Sequence, residues 1–359
     1  MEGLVNPRAD AWSGRSVFLT GHTGFKGGWL ALMLHALGAR VHGYALDPDS
    51  GPSMFEVAGI RHVLSSDTRA DLADRGRLAD AMASARPDVI LHLAAQPLVR
   101  ESYVRPVDTF ATNVMGTVHL LDAARSLPGV RAIVVVTTDK VYANDGAGRT
   151  FAEGDALGGD DPYSASKAAA ELVTASYRHS FFRTGYAAKI ATARAGNVIG
   201  GGDWAVDRLV PDCMRAFAEG EAVHLRYPSA SRPWQHVMEP LVGYLVLAER
   251  LFGESGMHAA RAWNFGPRSE DEATVGDVAQ RLALLWGDGA SVRPDDGPQP
   301  HEAGLLALDS TAARELGWRP RWSLAQALDA TVSWHRTWLT GGDMNEFTRT
   351  QIAAYLGAV

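Results

Sequence analysis

Residues 16–29, Ser-Val-Phe-Leu-Thr-Gly-His-Thr-Gly-Phe-Lys-Gly-Gly-Trp, constrain the fold more than any other stretch of the chain. Val17 to Thr20 are strand-like and run into glycines at 21, 24 and 27, after which Trp29, Leu30, Met33, Leu34 and Leu37 recur at helical spacing. The pattern is strand, tight turn, helix. Gly21 can take φ > 0 in the turn, Gly24 lets backbone N–H groups approach a pyrophosphate, and Gly27 lets the helix pack close on a sheet. The helix N-terminus adds unpaired N–H groups and a positive dipole end. An ordinary strand-to-helix turn is the plain alternative, because a glycine-rich turn alone is weak support. Its position between a strand and an amphipathic helix favours a dinucleotide site, with Gly21, His22, Thr23, Gly24, Phe25, Lys26 and Gly27 as candidate contacts.

A chain of 359 residues is long enough for two domains, or for one large domain with a lobe. The net charge of −7, with no Lys/Arg-rich run, argues against nucleic acid as a partner. Cys213 is the only cysteine, which excludes an intrachain disulfide and a cysteine-rich metal site and fits a reducing cytoplasm. The first fifteen residues lack the apolar core of a signal peptide, and no apolar run approaches the roughly 20 residues of a membrane helix.

Val41 to Leu46 reads as a second strand ending at Asp47. An acid there accepts hydrogen bonds from the adenosine ribose and repels a 2′-phosphate, so the chain leans to NAD; a turn aspartate before Pro48 is the other reading. Asp67-Thr68-Arg69 follows a short strand-like piece. Asp88 to Pro97 is a buried strand emptying into a loop where Ala94 and Ala95 leave room for a cofactor. Asn113 to Ala124 reads as helical, and Ala132 to Thr138 as an apolar parallel strand that delivers Thr138, Asp139 and Lys140 where ligands bind in open α/β sheets. Strands alternating with helices predict a doubly wound sheet.

Tyr163-Ser-Ala-Ser-Lys167 places a tyrosine and a lysine four apart on one helix face. A nearby ammonium and a bound nicotinamide cation both favour phenolate, drawing the tyrosine down from ~10. Such pairs also occur by chance on surfaces; the dinucleotide turn and Thr-bearing strand end upstream favour a catalytic pair. After Lys189 to Arg194, another strand, the elements shorten, and eight of the ten tryptophans lie from Trp204 onwards, which reads as mainly a substrate lobe. Arg232 before Trp234 suits a bidentate grip on phosphate, or is a solvated arginine beside a structural tryptophan.

Thr20 to Gly27, the Thr138-Asp139-Lys140 strand end, Tyr163-x-x-x-Lys167 and Arg194-Ala-Gly-Asn-Val-Ile-Gly-Gly-Gly-Asp-Trp204 resemble the extended short-chain dehydrogenase/reductases that act on sugar nucleotides. More narrowly, His92 to Arg100, Asn113 to Leu121, Arg232-Pro-Trp-Gln-His-Val237 and Trp263-Asn-Phe-Gly-Pro267 resemble the CDP-glucose 4,6-dehydratase family, over nearly the whole chain. The resemblance implies an α/β fold, a Rossmann-type doubly wound parallel sheet with a smaller mixed α/β substrate lobe. Residues 1–196, completed by about 236–266, would form the NAD domain, and 197–235 with 267–359 the nucleotide-sugar lobe. It also implies a lyase that converts CDP-glucose to CDP-4-keto-6-deoxyglucose and water, recycling its NAD, in the synthesis of deoxyhexoses for surface polysaccharide such as lipopolysaccharide O-antigen. Thr138, Tyr163 and Lys167 match the family's oxidation set, and Asp139 and Lys140 its elimination pair, acid and C5 base respectively.

Further NAD contacts implied by the resemblance are Asp47, Asp67, Thr68, Leu93, Ala94, Ala95, Gln96, Thr112, Tyr163, Lys167 and Ala195; substrate contacts are Gln96, Thr138, Asn197, Arg208, Leu209, Pro211, Arg232 and His301. No metal is implied. The resemblance also implies a homodimer or homotetramer formed through the helices around Asn113–Ala124 and Ser164–Tyr177, which carry the apolar positions Val114, Val118, Leu121, Leu172 and Val173. Two rivals remain open. A 4-epimerase or reductase of another nucleotide sugar would not need an acid and a base beside Thr138, and a non-catalytic NAD-sensing protein would not need Tyr163 or Lys167.

Overall fold

Strands without alternation must be covered on both faces. In the computed structural model, which describes residues 6–48, 51–183, 188–254, 256–294 and 306–357, seven such strands form the centre. They are β1 (Ser16–Thr20), β2 (Arg40–Ala45), β3 (Ser66–Arg69), β4 (Val89–His92), β5 (Ala132–Val136), β6 (Lys189–Ala195) and β7 (Ala262–Phe265). The order is β3-β2-β1-β4-β5-β6-β7, with every neighbouring pair parallel. All residues of β1 and β5 are buried. The order reverses between β1 and β4, so the C-terminal ends of these strands open a crevice of the kind that binds ligands. This is the doubly wound Rossmann-type sheet expected from the sequence.

The helices that matter below are α1 (Phe25–Ala36), α2 (Arg75–Ala85), α3 (Gly116–Ala124), α4 (Pro162–Ser180), α5 (Leu209–Glu219), α6 (Met238–Phe252), α7 (Leu324–Leu339) and α8 (Met344–Leu356). Every residue of α1 from Gly27 to Leu34 is buried, and a helix that is apolar all round needs cover on two sides. The sheet supplies one side. Trp334 of α7 and Ile352 and Tyr355 of α8 belong to the same core as Trp29, Leu30 and Met33, and Trp29 Nε1 donates to Gly201 O at 2.9 Å. On the opposite sheet face α2 and α3 bury Leu78, Met82, Leu120 and Leu121 against Phe18 and Ile133.

A smaller mixed sheet forms the lobe. Ser231–His236 runs parallel to Asn197–Ile199 and antiparallel to Glu272–Thr274, over a second core containing Cys213, Phe217, Trp234, Leu282 and Leu328.

Two local expectations need correction. The second strand stops at Ala45, so Leu46 is exposed and Asp47 lies in the loop beyond it. The helix expected from Asn113 begins as a π turn, Ala111–Met115, and becomes α3 only at Gly116. The extra residue in that turn is of the kind that recurs at functional sites. It accompanies Asn113 bonding inward to the Gln96 backbone rather than lying on a surface face.

Candidate active site

The glycine turn separates what the protein needs from what a ligand would need. At Gly21 φ is +78°, and a Cβ would lie 2.7 Å from Ala94 N; at Gly27 it would lie 2.0 Å from Gly21 O. Both glycines are required by the fold itself. At Gly24 the nearest atom would be Gly21 O at 3.5 Å, an ordinary contact. This exposed N-cap has no side-chain cap, so a Cβ there would fill only the space before the unpaired N–H groups of α1. That space suits a pyrophosphate. Thr20 Oγ1 accepts from Leu93 N and Ala94 N, both at 3.1 Å, holding the small-residue loop, with Ala95, over the turn.

At the outer end of the turn, His22 is fully buried with Nε2 2.8 Å from Asp67 Oδ1. Burial lowers its pKa, so the ring is neutral at pH 7 and donates to the carboxylate. Burial alone would raise Asp67, but hydrogen bonds from Arg69 and His22 hold it below the usual carboxylate range. Arg69 reaches both Asp67 oxygens, at 2.7 and 3.0 Å, and stacks 4.3 Å over Phe55. The Asp67 side chain is thereby engaged inside the protein, leaving the β3 backbone at Asp67 and Thr68 as the surface it offers outward. Asp47 is exposed and 3.4 Å from Arg69. Beside them opens a cleft of about 370 Å³, lined by Asp47, Pro48, Phe55, Glu56, Gly59, Arg61, His62 and Arg69, with the size for an adenosine.

Catalytic candidates converge at the ends of β5 and α4. Thr138 caps a single 3₁₀ turn, Asp139–Val141. Its hydroxyl donates to Asp139 Oδ1 at 2.9 Å. Lys140 Nζ lies 3.4 Å from the same oxygen. Asp139 is buried, and Lys140 is a third exposed at its side chain, 33%. Gly196 leaves the room Asp139 needs, since a Cβ there would sit 2.9 Å from Asp139 Oδ2. Tyr163 opens α4 behind Pro162, with Asp161 capping the helix. Burial pushes its phenol up; Lys140, a hydrogen bond with Thr138, and Arg208 pull it back, while Asp139 opposes them. Lys167, one turn on, is buried and donates to Val136 O at 3.2 Å. Burial draws it down to about 8, against the pull of Glu171.

Lys26 turns inward from α1, and its Nζ reaches Tyr244 OH of α6 at 3.3 Å. Burial, then Arg208 and Lys167, lower it to about 7, with Asp139 opposing. Thr23 and Phe25 flank the turn, half-buried. Asn113 receives Gln96 N at 2.8 Å and donates to Ser166 Oγ at 2.9 Å, tying the Gln96 loop to α4. Thr112 sits half-buried beside it, and Ala195 ends β6.

On the lobe side, Arg208 is held by buried Asp203 at 3.1 Å and immediately precedes Leu209 and Pro211 at the start of α5. Asn197 pairs in register with Trp234, two residues beyond Arg232. Trp234 is buried, its Nε1 bonded to Ala273 O. His301 lies outside the described residues. Among the described residues no group of His, Cys, Asp or Glu is placed to hold a metal ion, and no helix is long and apolar enough to cross a membrane.

Sequence reasoning missed Glu171, Arg194 and Asp203. Glu171 was accessible in principle, standing one helical turn beyond Lys167. Arg194 and Asp203 lie within a quoted motif, but their partners are fixed only by the fold.

Residues 18–331 match the family described as GDP-mannose 4,6 dehydratase. The chain is 47% identical over 352 residues to the CDP-glucose 4,6-dehydratase of Salmonella typhimurium, covering 97% of this chain and 98% of that one. The dTDP-glucose 4,6-dehydratase DesIV of Streptomyces venezuelae, solved with NAD bound, superposes with a TM-score of 0.75 at 26% identity, covering 91% of this chain and 98% of that one. The UDP-glucose 4-epimerase of Thermotoga maritima superposes with a TM-score of 0.76, covering 90% of this chain and 99% of that one. At 23% identity that likeness concerns the fold alone.

Proposed function

The chain belongs to the GDP-mannose 4,6 dehydratase family, and on that footing we propose that it converts CDP-glucose to CDP-4-keto-6-deoxyglucose and water, with NAD as resident cofactor. The observation that carries this reading is the Asp139–Lys140 pair beside Thr138 and Tyr163. A 4-epimerase or reductase has no use for a second acid and base there. The open cradle at Gly24 and the cleft beside Asp47 fit NAD. When bound, it supplies a reversible acceptor for the hydride of C4 and a positive charge near Tyr163.

The chain's own residues account for the protons. Tyr163 as phenolate takes the 4-hydroxyl proton, Thr138 stabilises the developing carbonyl, and Lys167 holds the phenolate and the ribose. Moving one proton from Lys140 Nζ to Asp139 converts the ion pair into a neutral amine and a carboxylic acid, the two forms elimination needs. Lys140 then takes the C5 proton, Asp139 protonates the leaving 6-hydroxyl, and Lys140 returns its proton to C5 as C6 is reduced. One cycle leaves Tyr163 a proton richer and Asp139 a proton poorer. Thr138, hydrogen-bonded to Asp139 and beside Tyr163, is placed to pass that proton across.

Gly21 to Gly27, the loop at Leu93 to Gln96 and the Asp47 cleft form the cofactor side of this reading. Arg208 with Asn197, Leu209, Pro211 and Arg232 form the nucleotide-sugar side. The product would feed deoxyhexoses of surface polysaccharide, made in the cytoplasm. The assembly would be a homodimer, because the helices at 99–104 and 106–110 and α4 expose Tyr103, Val104, Val107, Phe110 and Leu172 together. Incubation with CDP-, dTDP-, UDP- and GDP-glucose, with mass detection of water loss, tests the reaction. Turnover of CDP-glucose without dehydration would favour the epimerase or reductase.

A further inference from the structure

Beneath the catalytic strand end lies a buried ionic group that none of the chemistry above uses. Glu171, 4% exposed, is one turn of α4 beyond Lys167. Its carboxylate receives four hydrogen bonds: Thr137 Oγ1 at 2.6 Å, Thr192 Oγ1 at 2.6 Å, and Arg194 Nε and Nη2, each at 3.0 Å. Those donors come from the end of β5 and from β6. Arg194 continues to Tyr142 OH at 2.8 Å, which donates to Asn264 Oδ1 at 2.7 Å on β7. Thr137 immediately precedes Thr138, and Tyr142 follows the Asp139–Val141 turn. One carboxylate therefore joins the helix of Tyr163 and Lys167 to the strand end of Thr138, Asp139 and Lys140.

We propose that Glu171 is a positioning residue of the catalytic centre, fixing α4, and with it Tyr163 and Lys167, against the β5 end. Its charge also bears on Lys167. The surroundings of Lys167 are otherwise desolvating, and Lys26 of α1 is itself pushed down by the Lys167 charge. His92 of β4, driven to about 3 by burial, is neutral and offers no counter-charge. Asp139 is taken up by Thr138 and Lys140, and Arg194 on β6 is a further cation. On the helices packed against α4, Glu101, Arg105 and Asp108 pair with one another at the surface. Glu171 is the one carboxylate whose pull on Lys167 opposes burial. In the reaction proposed above Lys167 steadies the Tyr163 phenolate as a cation, together with Lys140 and Arg208, so its charge matters for the first proton transfer.

This inference rests on Lys167 acting in the reaction proposed above, but its test does not need turnover. The sequence holds only four lysines, at 26, 140, 167 and 189. Enzyme labelled with [ε-¹³C]lysine therefore gives four resonances, and Lys167→Arg identifies the one to follow. Three variants are compared with wild type: Glu171→Gln; Glu171→Gln with Arg194→Met, which leaves no lone buried charge and is expected to fold; and Glu171→Asp. Glu171→Gln should lower the Lys167 titration midpoint by about 1 unit or more, the double variant by less because it also removes the Arg194 cation, and Glu171→Asp should restore most of it. At pH 8 Glu171→Gln should lose about fivefold or more in kcat, the fall in the cationic fraction of Lys167, with KM changed less than about threefold. A midpoint at or above the wild-type value in a folded Gln variant overturns the proposal, as does Glu171→Asp behaving like Glu171→Gln. A double variant that does not fold makes the pair a folding determinant and also overturns it. Failure of wild type to dehydrate CDP-glucose tells against the reaction instead, and leaves the lysine comparison to decide the role of Glu171.

Discussion

Tyr163 is buried among groups that disagree about its proton: burial and Asp139 favour the phenol, Lys140, Thr138 and Arg208 the phenolate. Removing only its oxygen isolates that balance. Tyr163→Phe should bind NAD with the fold intact and lose about 10²–10⁴-fold in turnover, with no reduced cofactor seen in a single turnover. Asp139→Asn and Lys140→Met should behave oppositely. Neither residue accepts the 4-hydroxyl proton, so both variants should still oxidise substrate and accumulate reduced cofactor by absorbance, Lys140→Met more slowly because it loses a charge that favours the Tyr163 phenolate. Should either fail as early as Tyr163→Phe, the elimination pair is misassigned. At this scale much of the site was legible, because Tyr163 with Lys167 and Thr138 with Asp139 and Lys140 are each set by short sequence spacing. Asp67 was legible only as a location. That its carboxylate turns inward to His22 and Arg69 depends on the β2–β3 pairing and on a histidine 45 residues upstream.

Elements are where short spacing stops sufficing. Asp47 read as an acid that repels a 2′-phosphate, yet β3, paired alongside β2, delivers Arg69 to it, and the cleft beyond adds Arg61. The cation arrived from the neighbouring strand. The three glycines of the first turn were read with separate roles, and their surroundings differ accordingly. Gly27→Ala would drive a Cβ into Gly21 O, a backbone atom that cannot yield without dismantling the turn. A loss on the order of 4 kcal/mol or more is expected, read by denaturant unfolding. Gly24→Ala meets nothing closer than 3.5 Å, and its φ of −82° suits any residue. Stability within about 1 kcal/mol of wild type is expected, together with at least tenfold weaker NAD binding by fluorescence titration. Equal NAD affinity in a folded Gly24→Ala would show that the pyrophosphate lies elsewhere.

Across the whole molecule, the alternation of strands and helices made the sheet readable, whereas the closure of the C-terminal helices over α1 was not, since the partners are some 300 residues apart. Glu239 records that closure. It is fully buried near the start of α6 and accepts from the Arg321 and Trp322 backbones and from Tyr355 OH of α8. Burial pushes it up to about 7. A raised acid stabilises the fold below its unfolded value, ~4.3, and loses that contribution as pH climbs through about 7. The loss by pH 8 is on the order of 3 kcal/mol, so Glu239→Gln should flatten the fall in Tm between pH 5 and 8; an unchanged slope would remove Glu239 as its source.

The same scale decides assembly. Of the interface positions expected from sequence, Leu121 is in the core, Val114, Val118 and Val173 are half-buried, and Leu172 is 62% exposed. The exposed face gains instead from the short helices at 99–104 and 106–110, where Val104 and Val107 are 75% and 78% exposed. An isologous dimer buries roughly 800 Å² per partner, and carboxylates placed on both sides of the axis would then face their own copies without water. Val107→Glu with Leu172→Glu should therefore shift light scattering from dimer to monomer at micromolar concentration while leaving circular dichroism unchanged, and a variant that stays dimeric would move the interface to another face.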